Sequence, residues 1–449
     1  MGSVPVGAPA AASTSPYVEP AGGWVRNITL FLTGQTISMF GSMVVQYAVM
    51  WYVTLETRSG TAVAAYALAA FLPQGIVSIF GGVLADRRNR KVLVMVADGV
   101  IAVVTLVLAL IMMFGITDLW IILVAVGVRS LGAGVQQPAV TAMIPQLTPP
   151  DQLMRINGVF QTIQAAMALL APAAAGAVFA IWGVVPTFFL DVVTAALGIG
   201  MLALVAVPSL ARMTETVTSY RADLAEGMRY IAHHRIVRWL LVVFAIIFVL
   251  TVAPSFVTPL MVARDFGDEP WKLAVLELCF SIGMTIGGVL VSTVLAKAGR
   301  MLLIVVSSFG FAAFTFGLGL SPNLWVFYAN MFAFGLLVPL FSTPFMTLVQ
   351  ETVEPEMHGR VFSYVGIVMA LATPVGMAVF GPLADVVSVQ TLLIAAGLVT
   401  IVVISVAIAV PAGREVFRLA RSLPSAAPDA PAGGEGAAGT PGTTSENGS

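Results

Sequence analysis

The chain has 449 residues, of which 59% are hydrophobic and 10% charged, with a formal net charge of -1; its mean hydropathy is +0.98. A water-soluble domain carries about a quarter of charged residues, so this composition excludes an ordinary soluble fold. It calls for segments that pair every backbone N–H and C=O internally, as a helix of about 20 apolar residues does in hydrocarbon.

The first 23 residues are rich in Ala, Pro, Ser and Gly and lack the basic-then-apolar order of a secretory signal, so 1–23 is expected to be a disordered cytoplasmic tail. Apolar runs follow at 28–53, 61–85, 92–114, 119–143, 156–182, 185–208, 237–262, 273–296, 301–320, 324–348, 361–384 and 389–411, twelve in all, each near the crossing length. An even number puts both termini on one side of the membrane. With that side cytoplasmic, seventeen Lys and Arg residues fall in inner loops and tails, three (Arg58, Arg264 and Lys272) fall outside, and Arg129 lies within a run. Basic residues in short loops stay cytoplasmic, so both termini are expected inside, in a multi-pass protein of the plasma (inner) membrane.

Between runs six and seven the hydrophilic stretch 209–236 separates an expected N-terminal six-helix bundle, 24–208, from a C-terminal one, 237–411. Within it Leu224, Met228 and Ile231 recur at i, i+4 and i+7 among Arg221, Asp223, Glu226 and Arg229, which suits either an amphipathic helix lying on the anionic inner leaflet or a solvated linker helix. Gly81-Gly82-Val83-Leu84 recurs as Gly287-Gly288-Val289-Leu290, and Pro150 with Arg155 is matched by Pro355 with Arg360, at offsets of 206 and 205 positions. Two matches at almost one offset argue for a duplicated six-span unit, with a substrate site between the halves near the bilayer midplane. From 412 a basic stretch, Arg414 to Arg421, gives way to Pro, Ala, Gly, Ser and Thr, and 412–449 is expected to be a disordered cytoplasmic tail.

The turn after run two reads Gly82-Val83-Leu84-Ala85-Asp86-Arg87-Arg88-Asn89-Arg90-Lys91, a lone acid beside a basic cluster. Asp86 at a span end can accept hydrogen bonds from a neighbouring helix N-terminus, whose dipole favours an anion, while the bases pair with acids on adjacent spans; alternatively the bases only set topology. Run four carries Arg129 midway, followed by Ser130-Leu131-Gly132-Ala133-Gly134. A guanidinium at that depth costs about 2.5–3.5 kcal/mol on insertion scales, so it must face a partner or a cavity. Run five contains Leu170-Ala171-Pro172-Ala173-Ala174-Ala175-Gly176, where small residues at four-residue spacing let helices approach and Pro172 kinks the span; Gly283 and Gly287 of run eight offer a complementary face.

These motifs, together with Asp98, Asp191, Arg155-Ile156-Asn157 and the stretch from Pro355 to Arg360, resemble the major facilitator superfamily. Within it the chain looks like the twelve-span drug:proton antiporters, in the branch of macrolide-efflux and enterobactin-exporter proteins. Asn89 stands where many members have glycine, and Ala171 and Ala175 depart from the Gly-Pro-x-x-Gly-Gly pattern of run five. The resemblance implies an all-α polytopic membrane protein whose twelve transmembrane helices form two pseudo-symmetric six-helix bundles. It also implies that Gly82, Asp86, Arg87, Arg90 and Lys91 latch the cytoplasmic gate and that Arg129 serves proton coupling, a purely structural buried pair being the alternative; Asp98, seven residues past Lys91, is expected by its spacing to pair with that turn.

A carboxylic acid withdrawn from water resists charging, which suits a group that loads and releases a proton. Glu277 in run eight, then Asp191 in run six, are the candidate proton carriers or cation contacts, with a structural hydrogen bond to a neighbouring helix as the equal alternative for each, whereas Asp385 is expected to be a solvated end of run eleven. Gln35, Gln46, Gln136 and Gln164 are candidate cavity-lining amides, a minority role for residues that mostly join helices. The single cysteine, Cys279, excludes a disulfide framework, and three histidines, two of them the adjacent His233 and His234, make no spaced metal set. Neither Gly-x-Ser-x-Gly, His-Glu-x-x-His nor Gly-x-x-x-x-Gly-Lys-Ser/Thr occurs, so neither an enzyme nor an ATP-driven pump is expected, and no cofactor, metal or nucleic acid is a foreseen partner. The expected function is a monomeric secondary transporter that exports a small amphiphilic substrate, drug- or macrolide-like, by proton antiport through alternating access. Siderophore export and lipid or small-solute transport are the alternatives, with a membrane-embedded enzyme as a remote one.

Overall fold

Among the described residues twelve helices are long and apolar enough to cross a membrane, each falling on one of the apolar runs. The structure, a computed structural model, describes residues 23–207 and 220–422. Spans one to six are Trp24–Thr57, Gly60–Arg87, Arg90–Met113, Leu119–Leu147, Leu153–Trp182 and Val185–Ala203. Span seven is Arg235–Phe266, and spans eight to twelve are Pro270–Ser292, Arg300–Gly319, Leu324–Thr352, His358–Val386 and Val389–Ala409. Polar caps rather than hydropathy fix several starts: Ser59, Asn89, Asn323 and Ser388 each accept an N–H of the first turn of spans two, three, ten and twelve. At Gly183 a φ of 80 lets the chain reverse between spans five and six without a side-chain clash.

Span seven departs from a straight helix. Regular helix Arg235–Leu250 gives way to π-helical Ala253–Val257 and, after one α-turn, to π-helical Val262–Phe266. Pro254 and Pro259 lack the N–H that an α-helix needs at those positions. Hydroxyls satisfy carbonyls there: Ser255 Oγ donates to Thr251 O (2.9 Å) and Thr258 Oγ1 to Pro254 O (2.5 Å).

The duplication seen in the sequence is a duplication of packing. In the first bundle span two packs on span four, span three on spans four and six, and span one on spans five and six; in the second, span eight packs on span ten, span nine on spans ten and twelve, and span seven on spans eleven and twelve. A Cβ on Gly81 would strike the Gly134 carbonyl of span four, and one on Gly287 would strike the Leu336 carbonyl of span ten. Pro150–Gln152 and Pro355–Met357 are both single 3-10 turns that lead into spans five and eleven. The bundles meet along two antiparallel seams, span two on span eleven and span five on span eight. We call the side that carries the turn 87–90 and the linker the linker side, and the side of Arg58, Arg264 and Asp385 the distal side.

Two hydrophilic segments differ from expectation. The linker helix, Tyr220–His233, docks on the second bundle: Ile231 is buried in its core, Gly227 lies against Arg360 and Tyr364 of span eleven, and Arg360 pairs with Glu226 at 2.7 Å. Protein thus covers the Ile231 end of that face, while Met228 is 50% exposed. The tail expected to be disordered from 412 begins as a helix, Pro411–Ser422, packed on span seven with Arg235 and Glu415 3.5 Å apart. Composition read that stretch as a tail, but Arg414, Arg418 and Arg421 fall at helical spacing. The sequence tails 1–22 and 423–449, and linker residues 208–219, lie outside the described residues.

Candidate functional site

Inside the first bundle, spans one, three, four and six enclose a polar column in two storeys. In the upper storey Arg129 Nη1 pairs with Asp191 Oδ2 at 2.5 Å and contacts the Thr105 hydroxyl; Thr105 Oγ1 also lies 3.0 Å from Asp191 Oδ2, and Ser42 Oγ donates to Asp191 Oδ1 at 2.9 Å. Asp191 is 0% exposed and the Arg129 side chain 11%. In the lower storey Gln136 Nε2 and Ser38 Oγ donate to Asp98 Oδ1, the latter at 3.4 Å. The storeys follow from helix period: Asp98 to Thr105 and Arg129 to Gln136 are both seven residues, two turns or about 10 Å of rise. Glycine lets the column close, because a Cβ at Gly41 of span one would overlap the Thr194 hydroxyl of span six.

The storeys differ electrostatically. Asp191 and Arg129 neutralise one another, and Ser42, Thr105 and Arg129 together fill the acceptor positions of Asp191. Asp98, 2% exposed, has no cation bonded to it among the described residues, and its Oδ2 lacks a hydrogen-bond partner, as does Gln35 Nε2. The expected pairing of Asp98 with the basic turn is therefore corrected. Lys91 Nζ donates instead to Ala203 O and Val205 O, each at 2.8 Å, at the C-terminal end of span six, where a cation complements the helix dipole. Arg90 donates to Ala85 O (3.0 Å) and Ala142 O (2.8 Å), tying span three to spans two and four. Gly82, Asp86 and Arg87 belong to the end of span two, but their side chains lie outside the described residues.

Beside Arg129, Ser130 joins span four to span two, donating to Ala70 O (2.7 Å) and accepting from Gln74 N–H (2.9 Å). It stands in where Pro73 disturbs the helix ladder of span two.

On the distal side Asp385 is exposed at the end of span eleven, and it is also bonded across the seam. The Gly60 and Thr61 amides donate to it at 2.6 and 2.8 Å, the Ser59 hydroxyl at 2.9 Å and Arg264 Nη2 at 2.9 Å. The carboxylate thus caps the N-terminus of span two from across the bundle boundary, where the helix dipole favours an anion. Arg264 donates further to Arg58 O (3.0 Å from Nε) and Ala384 O (2.5 Å), and Arg58 pairs with Asp268 at 2.8 Å. No local signal in the sequence pairs positions 60 and 385; a carboxylate at a span end opposite a Ser-Gly-Thr start is the only hint.

The second seam, between spans five and eight, is tight distally and opens toward the linker side. A Cβ on Gly176 would overlap Ala274 and come within 3.6 Å of the Trp51 ring, and Ser281 Oγ donates to Ala168 O at 3.2 Å. Beyond that level the spans part around a cavity of about 310 Å³, lined by Ala165 and Ala168 on one side and by Ser281, Met284, Thr285 and Gly288 on the other. Ala171, Pro172, Ala175 and Gly176 of span five are buried, but Gly283 and Gly287 do not face them. They receive the Phe332 and Leu336 carbonyls of span ten, because their stripe lies to one side of the Ala274, Ser281, Gly288 stripe that meets span five. Glu277 is half-buried, and among the described residues no hydrogen bond or ion pair reaches it. It is not brought to the Arg129–Asp191 pair. Of the candidate amides, Gln35 and Gln136 belong to the column, Gln46 is exposed and accepts from the Tyr66 hydroxyl through its carbonyl (2.7 Å), and Gln164 is half-buried beside Ala165 of the cavity.

Twelve crossing helices in two like bundles, with an ion pair buried in one of them and a cavity at their seam, have the form of a membrane transporter. The chain belongs to the Major Facilitator Superfamily, whose model matches residues 31–377 and 273–431. It is 28% identical over 405 residues to macrolide efflux protein A of Streptococcus pyogenes, covering 90% of this chain and 99% of that protein. It is 25% identical over 404 residues to the multidrug efflux pump Tap of Mycolicibacterium fortuitum, covering 84% and 93%. Among solved structures, a bacterial homologue of the iron transporter ferroportin in an inward-facing state matches with a TM-score of 0.64 at 17% identity, over 86% of this chain and 99% of that one. A peptide-bound transporter of the POT family matches with a TM-score of 0.68 at 12% identity, over 85% and 95%; these two likenesses speak to the fold.

Proposed function

We propose that the protein exports a small amphiphilic compound, drug- or macrolide-like, by proton antiport through alternating access, with the linker side and both termini in the cytoplasm. The observation that carries the reading is the asymmetry of the seams: the distal side is bridged across the bundles by Asp385, Arg264 and Arg58, while spans five and eight part toward the linker side. That is the form of a carrier open to the cytoplasm. Spans two and eleven run antiparallel, so each ends beside the start of the other. In the outward-open form Asp86 takes the part on the cytoplasmic side that Asp385 takes distally, capping a helix start of the opposite bundle, with Arg90 and Lys91 bracing the turn.

Proton coupling is assigned to the polar column. A proton on Asp191 cancels the charge that holds Arg129, and the released guanidinium then favours a different packing of spans three, four and six. Asp98, two turns away with one free oxygen, is the next acceptor. A proton moving down 100 mV supplies about 2.3 kcal/mol, enough to bias a two-state carrier. The relatives support efflux as the direction, since one is named for macrolide efflux and another for multidrug efflux. The test uses everted vesicles that hold a proton gradient reported by a pH-sensitive dye, to which a panel of macrolides and other amphiphiles is added. A compound that collapses the gradient only in vesicles bearing the protein supports antiport; a panel with no response, alongside uptake of the same compounds driven by their own gradients, rejects it.

A further inference from the structure

The second bundle carries a basic rim that neither the gates nor the polar column uses. Span twelve ends at Ala409, Val410 is extended with ψ 151, and a 12-residue helix starts at Pro411, where the missing N–H leaves no bond unmade. Gly413 sits so close under the end of span twelve that a Cβ there would strike the Ala407 carbonyl. Trp239 of span seven donates its indole N–H to that same carbonyl at 3.2 Å. The helix, about 18 Å long, touches spans seven, nine and twelve. The first two start, and the third ends, on the linker side, so it lies across the end of the bundle, in the plane of the membrane surface. An indole marks the boundary between hydrocarbon and headgroups. Arg235, four residues before Trp239, stands about 6 Å further out, at the level of lipid phosphates.

The residues of the rim suit that layer. By helical period Ala412, Val416 and Leu419 fall on one face of the helix and Arg414, Arg418 and Arg421 on another. Gly413 is buried, whereas Arg414 and Arg418 are exposed. Arg235 meets this helix through Glu415 at 3.5 Å, and Arg238, one turn along span seven, donates to Ala232 O at 2.6 Å. Among the described residues Glu415 is the one acid paired with Arg235, Arg238, Arg414 or Arg418, in a long contact whose side chains are 55% and 45% exposed; such a pair holds little. Four guanidinium groups less one carboxylate leave the cluster a net charge of +3. Bases that brace the protein behave otherwise: Arg300 pairs with Glu351 at 2.8 Å, Arg360 with Glu226 at 2.7 Å, and Lys91 is held by carbonyls of span six. Arg155 and Lys297, exposed in other turns of the same side, are what topology alone asks for. Bases gathered at phosphate level from two segments distant in sequence instead complement an anionic headgroup.

We infer that Arg235, Arg238, Arg414 and Arg418 form a binding site for the phosphate headgroup of an anionic phospholipid in the leaflet on the linker side, carried by the helix Pro411–Ser422. The site is independent of what the protein transports and of the coupling ion. Full-length protein in detergent is titrated with cardiolipin, phosphatidylglycerol and phosphatidylcholine of the same acyl chains, and bound lipids are counted by native mass spectrometry. Wild type is expected to bind its first anionic lipid at least tenfold more tightly than phosphatidylcholine. Arg414→Gln with Arg418→Gln is expected to lose at least tenfold of that affinity, and Arg414→Lys with Arg418→Lys to keep most of it. Arg155→Gln with Lys297→Gln removes the same charge elsewhere on the same side and is expected to leave binding unchanged. Equal losses in the two glutamine pairs overturn the site in favour of diffuse charge, and no loss in Arg414→Gln with Arg418→Gln overturns it outright. If that variant aggregates, Arg235→Gln and wild type decide, because full affinity in the first or no preference for anionic lipid in the second refutes the site. Glycerol 3-phosphate at millimolar concentration is expected not to displace the lipid; displacement assigns the arginines to a soluble phosphate and refutes the lipid site.

Discussion

Replacing Asp385 by alanine removes three hydrogen bonds that cross from span eleven to the start of span two, at 2.6 to 2.9 Å, and a fourth, with Arg264 of span seven, inside the second bundle. A hydrogen bond to a charged group is worth about 1.5–3 kcal/mol when sheltered. The carboxylate here is 29% exposed and its Arg264 partner 27%, so water competes and the three crossing bonds together are worth nearer 3 kcal/mol than the sum of three sheltered ones. Because these bonds exist only while the distal side is closed, their loss falls on the closed form alone and shifts the open–closed equilibrium by roughly a hundredfold. Asp385→Asn keeps acceptor oxygen but loses the charge, and falls between. Spin labels on cysteines at Glu56 and Val387, both exposed at the distal end, in a Cys279→Ser background, report the separation by pulsed dipolar spectroscopy. The parent is expected to give a single short distance, Asp385→Ala to add a longer one, and Asp385→Asn a smaller share of it. Identical distributions in all three proteins would refute the lock.

Removing Arg129 alone leaves the fully buried Asp191 uncompensated, so Arg129→Ala is expected to cost about 3–5 kcal/mol of stability, whereas Arg129→Met with Asp191→Leu recovers most of it. Thermal unfolding in detergent checks the stability, and both proteins are expected to be inactive in the dye assay. Asp98→Asn conserves shape and can still bond Ser38 and Gln136, so it is expected to insert normally but to let substrate move without collapsing the proton gradient; coupled transport equal to wild type removes Asp98 from the relay. Gly283→Val drives a side chain into the Phe332 carbonyl and is expected to cost about 1–3 kcal/mol or more, while Gly99→Ala, which meets nothing within 4 Å, changes melting little. Equal losses from the two would show that span eight does not seat on span ten as described.

Much of the fold was legible in one dimension because a bilayer makes local demands. Each crossing must satisfy its own backbone, so length and hydropathy mark the twelve spans without knowledge of their neighbours. The repeat of Gly81-Gly82 as Gly287-Gly288 was legible for a related reason: a carbonyl of the next helix sits where a Cβ would be, in both bundles. Arg129 announced itself by cost, since a guanidinium in a span needs a partner, but not which partner. Asp191, sixty-two positions away, was one of several acids that could have served.

What tertiary structure decided is whatever depends on two distant positions sharing a level across a seam. Asp385 reads as a solvated end and nothing more until span two is laid antiparallel beside it and its first amides fall within 3 Å. Asp98 reads as a partner of Lys91, two turns away on the same helix, until the C-terminal carbonyls of span six take the lysine. Gly283 and Gly287 read as the face for span five until rotation of span eight gives them to span ten. Hydropathy and helical period fix what each segment is, because those are properties of a segment and its solvent. Which acid meets which base is set by rotation and vertical offset between helices, and these depend on the packing of every side chain in the seam, which no single segment contains.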